Sequence, residues 1–214
     1  MKRLFVFFSF IFAFLSCPLF AQELNEDVER LINGTATTLP PELQEMLGKR
    51  AAEKVKMMTD YIAFMADKDK KLSTREYYKT QALNLFVGAG YSYVQDGIER
   101  DGVTMQTTSK YRKKPSSKLM RDYFDTVIGY RYQQVQIEAT DVADIKVSRL
   151  KKVGENEYEC TCTFDQAFCG YRDGRPVYRD ITTKRVVCRV ILEETVDGVE
   201  AVVLLGDVYA IETH

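Results

Sequence analysis

The last quarter of the chain constrains its fold most. Residues 157–212 read as three consecutive β-strands with an Asp-Gly pair between each two. In the first, Tyr158, Cys160, Cys162, Phe164 and Phe168 fall on one face, and Glu159, Thr161, Thr163 and Asp165 fall on the other. A strict period of two marks a strand with one buried face. Asp173-Gly174 supplies a hairpin turn, because a two-residue type I′ turn needs positive φ at both central positions. Pro176 then falls near the start of the returning strand, where a missing N–H is tolerated. That strand, residues 177–194, is apolar on both faces in its second half, with Val186, Cys188, Val190 and Leu192 against Val187 and Ile191. This predicts a central strand covered on both sides. Asp197-Gly198 turns the chain again. The final strand sets Ala201, Val203 and Leu205 against Val202, Leu204 and Val208. So apolar a terminus is expected to be tied into the core.

Met1 to Ala21 has the form of a secretory signal: Lys2 and Arg3, a Phe-rich apolar run to Leu15, and Ala21 before polar sequence. We expect cleavage after Ala21 and an exported protein, periplasmic or secreted. Leu15-Ser16-Cys17 offers the alternative of a lipoprotein anchored through Cys17. No other stretch is long enough to span a bilayer, which takes ~20 apolar residues, so the processed protein is expected to be soluble. Residues 22–38 read as a flexible lead-in and 39–214 as one α+β domain. The formal charge of −1 gives no global pull toward nucleic acid.

Leu39-Pro40-Pro41 opens a helix, since proline suits a first turn. Leu43, Leu47, Val55, Met58, Tyr61, Ile62 and Met65 carry it to about Ala66, with Gly48 a candidate bend. Ser73-Thr74-Arg75-Glu76 has the pattern of a capping box for a second helix. That helix turns Tyr78, Ala82, Leu85 and Phe86 inward and stops near Gly88-Ala89-Gly90. Residues 91–108 are expected to be a strand pair, and Lys110 to Lys114 a basic loop. Ser116-Ser117 is placed to cap a third helix that ends at Gly129. Further strands are expected at 130–138 and 143–153.

This order of elements resembles the nuclear transport factor 2-like fold, also called cystatin-like. The resemblance spans about residues 40–213. It is nearest to secreted bacterial proteins at Gly170-Tyr171-Arg172-Asp173-Gly174 and Leu204-Leu205-Gly206-Asp207. It implies helices packed on a curved, mainly antiparallel sheet that ends in a β-meander and leaves a cone-shaped pocket. It also implies either a non-catalytic module or an isomerase or dehydratase in which an Asp base and a Tyr donor face each other. A fold alone does not choose between them.

The single histidine is His214, the last residue, which removes Ser-His-Asp and Cys-His catalysis and any two-histidine zinc site. Tyr91, Tyr93, Tyr130 and Tyr132 are candidates to line a pocket, with Asp165 and Asp180 as carboxylates on one hairpin. An Asp in an apolar pocket would have a raised pKa and could act as a base. A solvated cross-strand ion pair accounts for the same residues. The cysteines are read as buried thiols or as one disulfide, Cys188 with Cys160 or Cys162. One bulge in the longer strand would set Cys188 level with Cys160. No metal and no cofactor are expected.

The reading favoured by these residues is an exported envelope module without catalytic activity. It would hold a small ligand or an envelope protein, bind no nucleic acid, and offer its sheet face to a homodimer. An isomerase or dehydratase using a carboxylate and a tyrosine is the alternative. A buried acid with a Tyr hydroxyl in reach would favour the enzyme.

Overall fold

The computed structural model describes residues 39–214 apart from 96, 113, 139, 196 and 197. The signal segment with Cys17, the lead-in and Asp197 of the second turn lie outside the described residues. Helix α1 (Pro41–Ala66) and helix α2 (Leu72–Leu83) lead into a short turn of 3-10 helix. Strands β1 (Tyr93–Gln95) and β2 (Ile98–Arg100) form a hairpin of their own. Then come β3 (Thr104–Thr107), β4 (Ser116–Leu119) and α3 (Met120–Ile128), followed by β5 (Gln134–Ile137), β6 (Lys146–Val147) and β7 (Lys151–Lys152). The long strands β8 (Glu157–Arg172), β9 (Arg175–Thr195) and β10 (Gly198–Thr213) complete the chain.

The main sheet runs β4-β3-β10-β9-β8-β5, with β6 and β7 also paired to β8. Every pairing is antiparallel except β3 with β10. The expected architecture, helices on a mainly antiparallel sheet that ends in a meander, is the one observed. Register shifts occur between Gly170 and Tyr171, between Leu205 and Val208, and between Ala210 and Glu212. Each inserts an extra residue into one strand, which bends it and increases its twist. Three such shifts in two hairpins curl the long strands toward the helices.

The core lies between α1 and the concave face of the sheet. Leu43, Leu47, Val55, Met58, Ile62 and Met65 of α1 meet Cys162, Val186, Cys188, Val190 and Leu205, all essentially unexposed. Each such side chain contributes roughly 1.5–3 kcal/mol by leaving water. Gly48 makes no bend: α1 is continuous there, and Val147 lies over it. Arg75 of α2 donates to the carbonyls of Met65 and Ile128, at 3.4 and 3.0 Å. One guanidinium thereby satisfies helix-end carbonyls of both α1 and α3.

Several local expectations change. Ser73 makes no capping box, because α2 already starts at Leu72 with Lys71 ahead of it. Ser116 and Ser117 cap nothing: they pair with Thr107 and Gln106 as part of β4, and Leu119 precedes α3. β9 is central, yet only one of its faces is buried. All three helices lie on the concave side, and Val187 and Ile191 on the other side remain half-buried. Ile191 and Val202 pair directly across strands there and shield each other. Val208 turns out to share the core face with Val203 and Leu205, because the irregularity at Gly206-Asp207 reverses the alternation. Asp207 uses that position to accept from the Thr104 N–H at 2.7 Å and its hydroxyl at 2.9 Å, which holds β3 against β10. The chain end is not loose, since Ile181 and His214 exchange both backbone hydrogen bonds. Among the described residues no helix is long and apolar enough to cross a membrane.

Candidate active site

A cleft of about 330 Å³ opens between α3, the 107–118 segment and the concave end of the sheet. That is the small end of the usual ligand-pocket range of roughly 300–1,000 Å³. Its floor is β9. Tyr178, Asp180, Thr182 and Lys184 alternate onto the concave face, continuing the series Val186, Cys188 and Val190 deeper in the core. Strand β8 contributes Gln166 and Phe168, opposite Thr182 and Asp180. Tyr123 comes from α3, while Tyr130 and Tyr132 follow it.

Lys184 is the unusual residue. It is only 4 % exposed, and the one hydrogen-bond acceptor found for it among the described residues is the Met105 sulfur, 3.4 Å from Nζ. The Tyr123 ring centroid lies 5.5 Å from the same nitrogen. A buried ammonium normally pairs with a carboxylate or lowers its pKa. Burial pulls Lys184 down to about 8, and the charge of Asp180 opposes the fall. Gln166 is a second anomaly: it is 6 % exposed, and its Nε2 has no partner among the described residues. Two strong donors thus line one cavity without an oxygen acceptor. Leaving such a buried donor unpaired costs about 1–3 kcal/mol, so a pair of them calls for a ligand or water that supplies acceptors.

The acceptor side of the cleft is Asp180, 6 % exposed, which takes a hydrogen bond from the Tyr178 hydroxyl. Tyr178 is pushed up to about 12, first by burial and then by that bond to Asp180. Tyr130 is also raised to about 12, mainly by burial, with Tyr132 and Asp180 adding to the shift. Tyr123, hydrogen-bonded to Tyr130, is also raised well above its ordinary value, chiefly by burial. All three phenols therefore stay protonated near neutral pH. Tyr130, Tyr132 and Tyr178 pack edge-on around Phe168, with centroids 5.5 to 5.8 Å away. Gly170 leaves room for this: a Cβ there would fall 2.7 Å from the Tyr132 ring. Arg112, held by Ser116 Oγ at 2.9 Å, and Lys118, donating to Thr126 Oγ1 at 3.2 Å, add positive charge at the rim.

Of the residues singled out in the sequence, Tyr130, Tyr132 and Asp180 meet in this cleft. Asp165 does not: it lies exposed on the opposite face, where Thr183 Oγ1 donates to it at 2.5 Å. Tyr91 is 69 % exposed and borders a separate groove between α2 and α3. Tyr93 is half-buried in the β1–β2 hairpin, away from the cleft. Sequence reading missed Lys184, Gln166, Tyr123 and Tyr178. A signal existed for Lys184, since counting back by twos from Val190 puts Lys184, Thr182 and Asp180 on the core face. For Gln166 the same count runs from Phe164 to Phe168.

The four cysteines of the described chain are free thiols. Cys188 stands directly opposite Cys160, the register that one bulge produces.

No family model matches the chain, and no curated protein matches it. One solved structure resembles it, described as a "Putative Scytalone Dehydratase" from Novosphingobium aromaticivorans DSM 12444. The match has a TM-score of 0.38 and 14% identity and covers 80% of this chain and 89% of that one.

Proposed function

We propose that the cleft is an active site for proton transfer on a small carbonyl compound, in an exported protein of nuclear transport factor 2-like fold. The observation that carries this reading is the pair of buried donors, Lys184 Nζ and Gln166 Nε2, which have no oxygen acceptor among the described residues and lie in the same cavity as the Asp180 carboxylate. A substrate carbonyl oxygen accepts from the two donors. As a proton leaves the adjacent carbon, negative charge develops on that oxygen, and fixed donors in a site shielded from water stabilise it. Asp180 is the proton acceptor. The Tyr178 hydroxyl donates to its carboxylate and so orients it. The Tyr130, Tyr132 and Phe168 rings form a wall suited to an unsaturated or aromatic body. Arg112 and Lys118 favour a substrate with an additional acidic group at the rim. A buried acid with a tyrosine hydroxyl in reach is the arrangement that favours an isomerase or lyase over a passive module.

The test uses a panel of small 1,3-dicarbonyl and aryl keto acids. Binding is read as a rise in melting temperature, and chemistry as deuterium uptake at the carbon beside the carbonyl. Lys184→Met is expected to abolish both. Asp180→Asn is expected to keep binding and lose exchange by at least 100-fold, about the least that a general base contributes. Binding in the wild type without any exchange would leave a non-catalytic ligand-binding module. Equal binding by Lys184→Met and the wild type would overturn the site itself.

A further inference from the structure

A second group of reactive side chains stands apart from the cleft. Strand β8 sets Cys160 and Cys162 on the same concave face, and β9 brings Cys188 directly across from Cys160. The three sulfurs lie within 4.8 Å of one another, and Cys188 Sγ is 3.5 Å from Cys162 Sγ. Exposure of the three residues is 2 % or less. Cys169 is half-buried and belongs to no such group among the described residues. The third sulfur of the group comes from the neighbouring strand.

We propose that Cys160, Cys162 and Cys188 form a three-thiol binding site for a trivalent, thiophilic oxyacid of the arsenite or antimonite type. Charge and geometry select this class. Three thiolates on a divalent ion leave one net negative charge, and on a monovalent ion two. Either charge would sit in an apolar core, where an uncompensated ion is strongly disfavoured. Zinc also takes four ligands in closed sites, and the cluster offers no fourth donor among the described residues. Arsenous acid reacts with three thiols to give a neutral tris-thiolate and three waters. Three As–O and three S–H bonds break, three As–S and three O–H bonds form, and arsenic stays trivalent. No charge is buried and no proton is released. With bonds to sulfur of roughly 2.3 Å, as in other thiolate sites, a pyramidal centre with near-right angles places its sulfurs about 3.3 Å apart. The observed 3.5 Å between Cys188 and Cys162 is near that value, and side-chain rotation at Cys160 closes the triangle. The incoming acid is itself neutral at pH 7, so local opening of the sheet admits it without a charge penalty. Once bound, it ties strands β8 and β9 together.

The test uses the full protein, fully reduced, with sodium arsenite added either to the folded chain or during refolding from urea. The expected product carries one arsenic in place of three hydrogens by intact mass, melts at a higher temperature, and has three fewer thiols open to titration. Cys169→Ala is expected to bind equally, and Cys162→Ala and Cys188→Ala to lose the adduct. Because a core substitution can disturb folding, X-ray absorption on the wild-type adduct gives an independent reading: three sulfur neighbours and no oxygen are expected. Failure to form an adduct by either route would overturn the proposal. So would arsenic with two sulfurs and one oxygen, an undiminished adduct in a folded Cys188→Ala, or a disulfide at Cys188 that excludes arsenite.

Discussion

Lys184 is held in the folded chain with its pKa lowered to about 8, while the unfolded chain keeps an ordinary lysine value near 10.4. Between those two values the unfolded state binds more protons, so folding stability rises with pH across that window. Below pH 8 the amine is charged in both states and the burial penalty is fully present. Lys184→Met removes the penalty. It is expected to be more stable than the wild type at pH 7 by on the order of 3 kcal/mol, and the gap should narrow as pH rises toward 10. Urea midpoints of both proteins from pH 7 to pH 10 check this. A gap independent of pH would mean that the amine is not desolvated in solution. Such a gain in stability alongside loss of ligand binding is the usual mark of a functional residue kept at the expense of the fold. The alternation along β9 made the inward direction of this residue legible. The absence of an oxygen partner was not legible, because it depends on Met105 and Tyr123, which come from other elements.

The β8–β9 hairpin is the element most directly written in the chain. Asp173 and Gly174 have φ of 53° and 69°, and Arg172 pairs with Arg175, as a two-residue turn requires. A Cβ on Gly174 would meet nothing within 4 Å, so only backbone strain opposes a larger side chain there. Gly174→Val is therefore expected to destabilise by about 1–2 kcal/mol, since a β-branched residue resists positive φ. An unchanged denaturant midpoint would contradict the turn. Where short-range rules failed, a longer-range contact had prevailed. Ser116-Ser117 has the composition of a helix cap, yet hydrogen bonding to β3 takes it as a strand. Val208 has the parity of the outer face, yet the irregularity at Gly206-Asp207 returns it to the core.

At the scale of the whole molecule, the segment ahead of the domain carries its own prediction. Lys2, Arg3 and the Phe-rich run predict that the exported product begins at Gln22. Intact mass of the protein recovered from outside the cytoplasm decides it, and a start at Cys17 with added acyl mass would identify a lipoprotein instead.

The sequence by itself determined the long meander, the first turn and the helical face of α1. Each of these depends on periodicity or on the φ preference of one or two residues, which are local properties. The tertiary structure alone decided which face of the sheet the helices cover, and so which half of an alternating strand is inside. It also decided that β8 and β9 pair with one bulge, which sets Cys188 level with Cys160. The cleft exists because bulges curl the strands and α3 closes over one end, which brings Tyr123, Gln166 and Lys184 together from well-separated parts of the chain. The cysteine triangle has the same origin, since only strand pairing gathers three sulfurs from two strands into one dry volume.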